Sequence, residues 1–142
     1  MIRETIPELP SQNFVSKFFF LNAAFVVVYV ITMIFTLSTT EPSGVMSAYV
    51  RQLSMLRLPV NLLLAFCLVG AAVLKKPVSG VLVIIAMFNW LTLIDDFFVV
   101  QLQNMTFEST LGATLASLRP LVVASLTLIA IEAKLYDRRS DQ

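Results

Sequence analysis

The chain has 142 residues, of which 58% are apolar and only 13% charged, with a mean hydropathy of +0.85. Soluble domains run near 45–50% apolar and about 25% charged, so these few charges cannot cover a water-facing surface and the apolar excess must face lipid. A net charge of +1 and the absence of histidine exclude a basic nucleic-acid face, and imidazole-dependent Ser–His–Asp or Cys–His catalysis. With one cysteine besides, the usual zinc, haem and iron–sulfur ligand sets and any intrachain disulfide fall away. No cofactor or metal is expected.

The length suits a single domain, read as one transmembrane unit over 1–142. The first apolar stretch, Phe18–Leu37, carries no charge and has the roughly 20 residues that a spanning helix needs. It exceeds the apolar region of a signal peptide, and no Ala-x-Ala site follows it, so it reads as a retained anchor. Residues 1–16 form a tail before it. The turn-forming run Ser38-Thr39-Thr40-Glu41-Pro42-Ser43-Gly44 then reads as a loop.

Met46, Tyr49, Val50, Leu53 and Leu56 follow at helical spacing, with Ser47, Arg51 and Ser54 between them. This amphipathic segment either lies at the membrane interface or extends the next span. The second span covers about residues 57–74 and stops at Lys75-Lys76-Pro77. So short a connection makes the third span, about 78–98, its antiparallel neighbour. Phe107, Leu111, Leu115 and Leu118 again recur at helical spacing before a fourth span over about 115–134, followed by a tail over 135–142. Arg57-Leu58-Pro59 and Arg119-Pro120 resemble each other in position, but the match is too short to define a repeat. Continuous apolar runs do not alternate as barrel strands do. The expected fold is an all-α membrane protein, an antiparallel four-helix transmembrane bundle with short amphipathic helical segments on the outer side.

Orientation follows from lysine and arginine. With the N-terminus inside, the inner flanks hold Arg3, Lys17, Lys75, Lys76, Lys134, Arg138 and Arg139, and the outer side holds Arg51, Arg57 and Arg119. Both termini are expected in the cytoplasm, with a bacterial inner (plasma) membrane as the setting.

Charges at the outer ends of the spans are the informative residues. Counting about 1.5 Å per residue from the inner anchors puts Arg57 about 27 Å up, Asp95 about 28 Å and Arg119 about 22 Å. They fall at similar height within a hydrocarbon core about 30 Å thick. At about 100° per residue, Asn89, Thr92, Asp96 and Gln103 share one stripe of the third helix, and Asp95 points elsewhere. Arg57 and Asn61 are an i, i+4 pair on one face of the second. The expected cluster is therefore Asp96 facing Arg57 or Arg119, with Asp95 beside it and Asn61, Asn89 and Thr92 forming a polar patch below. An intramembrane carboxylate marks a transport path or proton relay by default, whereas near the interface an Asp–Arg pair also serves simply to hold helices together. Spacing gives Asp95-Asp96 no catalytic-dyad geometry.

Other residues read more plainly. Cys67 is a small packing residue, and Gly70-Ala71-Ala72 and Ala113 through Ser117 supply small residues for close helix approach. Glu132 reaches for the interface beside Lys134. Trp90 packs between helices, Phe18-Phe19-Phe20 meets lipid, and Lys75-Lys76 and Arg138-Arg139 are positive-inside anchors. Asn104-Met105-Thr106 matches a glycosylation pattern that occurs often by chance.

No motif is specific enough to name a family. The function expected is that of a small non-catalytic membrane protein acting by helix association, an accessory subunit of a larger complex. The alternative is a transporter or channel component with Asp96 as its ion- or proton-linked group. A lipid-modifying enzyme using Asp95, Asp96 and the arginines lacks a visible nucleophile–base set, so the sequence leans away from an enzyme. Expected partners are the lipid bilayer and another membrane protein or a second copy, and no nucleic acid.

Overall fold

The computed structural model describes residues 12–39, 45–103 and 110–140. The loop residues 40–44, Asn104-Met105-Thr106 and Phe107 lie outside them. Within the described residues the fold is all-helical: α1 (Gln12–Thr39), α2 (Val45–Val73), α3 (Ser79–Gln103) and α4 (Thr110–Ser140). Each contains a segment long and apolar enough to cross a membrane: Lys17–Thr36, Arg51–Val73, Ser79–Phe98 and Ala113–Asp137.

Polar residues survive in these segments because the helix backbone itself satisfies them. Asn22 donates its amide to the Phe18 carbonyl at 2.9 Å, and Thr32 and Thr36 each donate to the carbonyl four residues earlier at 2.8 Å. In lipid, where water cannot serve as partner, such back-bonding removes the cost of an orphaned hydroxyl. Pro59 and Pro120 sit inside α2 and α4, each deleting one intrahelical donor without ending its helix.

Of the two courses open to the segment from Met46 to Leu56, α2 takes the second. The segment is the first part of one continuous helix rather than a separate interfacial one, since nothing between Val45 and Arg57 breaks a helix. α2 ends in a Schellman closure: Lys76 N–H donates to Ala71 C=O at 2.9 Å and Lys75 N–H to Ala72 C=O at 3.1 Å. Lys75 takes the left-handed conformation this closure demands, with φ of 53°, in a position usually given to glycine.

α4 is the organising helix. Val122, Leu126, Ile129 and Ala133, at helical spacing, line its buried face with Ala130. They pack with Tyr29 of α1 and Leu82 and Ala86 of α3. Helix cores of this kind in a bilayer are held by dispersion and close fit, since lipid is as apolar as the side chains themselves. α4 packs on α1 and on α3, whereas α2 has its substantial packing on α3 only. Among the described residues of α2, Ser54 is the single buried side chain.

Two packing expectations are corrected here. Cys67 is exposed on α2, because α2 turns most of its circumference away from the other helices. Gly70 has open space where a Cβ would stand, so it does not mediate close approach.

Candidate functional site

The site grows from three helices. On α3, Asn89, Thr92 and Asp96 follow one another at spacings of three and four, which turns them toward one side of the helix. α2 contributes Arg57 and Asn61 one turn apart, and α4 contributes Arg119. The Arg57 guanidinium forks: Nη1 donates to Asp96 Oδ1 at 2.5 Å, and Nη2 pairs with Asp95 Oδ2. Arg119 closes from the other side, with Nη1 on Asp96 Oδ2 and Nη2 donating to the Thr92 hydroxyl at 2.9 Å. Thr92 itself donates to the Asn89 carbonyl at 3.0 Å.

A second polar contact lies one turn along. Asn89 donates its amide to the Asn61 side-chain oxygen at 3.3 Å and to the Ile85 carbonyl at 2.9 Å, while Asn61 donates to the Arg57 carbonyl at 3.1 Å. All seven residues singled out from the sequence thus belong to one connected network. Asp95, at about 100° from Asp96 on the helix, joins it because the planar arginine fork is wide enough to span both carboxylates.

Burial in the network is uneven. Arg57 is 13% exposed, whereas the Asp95 side chain is 58% exposed. Two guanidinium groups face two carboxylates, so the formal charges cancel. This is the condition for holding ions in a low-dielectric setting, where an unpaired charge is costly. Both oxygens of Asp96 are engaged.

Sequence reasoning missed several contacts. Tyr29, buried on α1, donates its hydroxyl to the Leu115 carbonyl of α4 at 3.1 Å. A lone tyrosine in an apolar run signals only that its hydroxyl needs a partner. Beside it, Phe25, Val28, Thr32, Thr114, Leu115 and Leu118 line an open apolar cleft between α1 and α4. Trp90 lies at the edge of the α3–α4 contact, donating Nε1–H to the Thr127 hydroxyl at 2.9 Å, and that hydroxyl in turn donates to the Val123 carbonyl. On α4 the Glu132 carboxylate has one shielded oxygen, Oε2, without a hydrogen-bond partner among the described residues.

The fold and the site together define a helical membrane-type protein with an arginine–aspartate cluster joining three of its helices. Compared with protein-family models, with curated proteins and with solved structures, the chain matches none.

Proposed function

We propose that this is a non-catalytic integral membrane protein that acts by helix association, as an accessory subunit of a larger membrane complex. In this reading the four helices form an antiparallel bundle with both termini in the cytoplasm, set in a bacterial inner membrane. The arginine–aspartate cluster then lies toward the outer face. The observation that carries the reading is the double engagement of Asp96, whose two oxygens are taken by Arg57 of α2 and Arg119 of α4. A carboxylate held by arginines of two other helices suits a role in joining those helices. The broad lipid-facing surface of α1 and α2, including Phe20, Ile31, Phe35, Leu63, Phe66 and Val73, suits lateral contact with other membrane helices.

Affinity purification of the full chain in mild detergent tests this directly. A partner recovered at fixed stoichiometry supports the reading. An ion or proton flux in proteoliposomes that Asp96→Asn abolishes, with expression unchanged, would overturn it in favour of a transporter or channel component. Topology is checked separately by single-cysteine labelling in a Cys67→Ala background. Labelling at Ser43 from outside, with the C-terminal tail inaccessible, is the expected pattern, and the reverse refutes the orientation.

A further inference from the structure

We infer that α2 is a releasable helix: by pivoting at Lys75, it opens the α3–α4 face to a transmembrane helix that brings its own cation to Asp95 and Asp96. The inference rests on the reading of helix association and names the face and the chemistry of the partner. Its first support is the distribution of packing. The buried apolar cluster is drawn from α1, α3 and α4, and α2 adds only Ser54 to the buried set among the described residues. Leu68 of α2 packs against the edge of that cluster, so departure of α2 uncovers this edge and leaves the buried members themselves in contact.

The second support is the chemistry of the α2–α3 seam. It is held by Arg57 on Asp95 and Asp96 and by Asn61 against Asn89. Polar seams of this kind are exchangeable in a membrane, because a released helix finds other polar partners there. Third, the cluster is redundant on the side that stays behind. When Arg57 leaves, Asp96 keeps Arg119, and Arg119 keeps Thr92. Asp95 loses its arginine, and its carboxylate, more than half exposed within a membrane-capable segment, is left without a counter-ion, a costly state that a new cation would relieve. The fourth support is the pivot. Lys75 sits at φ 53°, a conformation that costs a non-glycine residue, and 76–78 follow without regular structure before α3 begins. A turn that stores strain is a natural place for the angle between α2 and α3 to change.

Charge then selects the occupant. With Arg57 withdrawn, the α3–α4 face presents two carboxylates against the single guanidinium of Arg119, a deficit of one positive charge. A purely apolar helix leaves that deficit unmet. A helix with an arginine or lysine at the height of Arg57 meets it, preferably arginine, whose fork spans both acids.

The test uses the full chain in nanodiscs, with Asn61→Cys and Asn89→Cys in a Cys67→Ala background. The two asparagine side chains touch, so oxidation ties α2 to α3 and reduction frees it. The probe is a fluorescent peptide of α2, Val45–Val73, carrying the same Cys67→Ala change and added in excess. The reduced protein is expected to bind it and the oxidised protein to exclude it. The Arg57→Gln version of the peptide should bind roughly tenfold more weakly, the loss of one charge-assisted pair. Equal uptake by oxidised and reduced protein, or equal binding of both peptides, overturns the inference.

A second measurement avoids the engineered bridge. Spin-label distances in full-length Arg57→Gln should broaden between Gln52 and Leu121 but stay sharp between Phe20 and Leu121. An unchanged α2–α4 distance, or loss of both, also overturns it. Recovery of a native partner equally from oxidised and reduced protein would sink the release of α2 and leave the association reading standing. Peptide exchange without a native partner supports the release while removing that reading.

Discussion

Asp96 of α3 and Arg57 of α2 stand thirty-nine positions apart in the chain and meet at 2.5 Å, with Arg119 of α4 on the other oxygen of the same carboxylate. One side chain thus joins three helices. Its neighbour Asp95 shares Arg57, meets no other arginine among the described residues, and is far more exposed. That asymmetry between adjacent aspartates sets up the first prediction.

Asp96→Asn leaves two arginines competing for Asp95 and Thr92, and should destabilise the protein by roughly 2–3 kcal/mol. This is somewhat under the penalty for breaking a fully buried ion pair, because Arg57 keeps Asp95 and Arg119 keeps Thr92. Asp95→Asn, which removes one contact to Arg57 and leaves Asp96 joined to both arginines, should cost less. Thermal melting of both variants in one detergent gives the order, and a larger loss for Asp95→Asn would contradict the assignment of Asp96 as the joint.

Asn61 and Asn89 should be coupled. In a double-mutant cycle with alanine at each position, the interaction energy is expected at about 0.6 kcal/mol, a usual value for polar contacts between membrane helices. Unfolding titrations of the four proteins supply the number. A coupling indistinguishable from zero would mean that the 3.3 Å contact adds nothing to the seam.

At Lys75, the left-handed backbone predicts an order of stabilities. Lys75→Gly removes the Cβ conflict at the closure of α2 and should stabilise by roughly 0.5 kcal/mol net of glycine's entropy. Lys75→Ile should destabilise, since a branched side chain tolerates positive φ least. Melting temperatures ranked glycine, lysine, isoleucine are the expected result.

Burial, and not hydrophobicity, should decide the effect of trimming valines. Val123 is 1% exposed and Val69 60%. Val123→Ala should cost roughly 1–2 kcal/mol through lost packing, and Val69→Ala close to nothing, because lipid replaces what the side chain loses. Equal effects in the same melting assay would argue against α4 as the centre of packing.

Composition and run length determined by themselves that the chain is helical with four membrane-capable segments, because a bilayer demands both length and internally satisfied backbone. Spacing on one helix also showed which polar residues share a face, as with Arg57 and Asn61 or Asn89, Thr92 and Asp96. It could not show which faces meet. In α1 apolar side chains run round the whole circumference, from Phe20 and Val28, which are exposed, to Tyr29, which is buried. No stripe distinguishes neighbour from lipid, so the α1–α4 contact and the bond from Tyr29 to Leu115 were invisible. Cys67 and Gly70 misled for a related reason: small or sulfur-bearing residues signal burial only where a second helix is present, and α2 has little but α3 beside it. Only the tertiary structure decided that Arg57 and Arg119 converge on one carboxylate and that Asp95 is drawn in. That outcome depends on side-chain reach across helices, and in lipid it is polar pairing and close fit, absent from any one-dimensional pattern, that choose which helices touch.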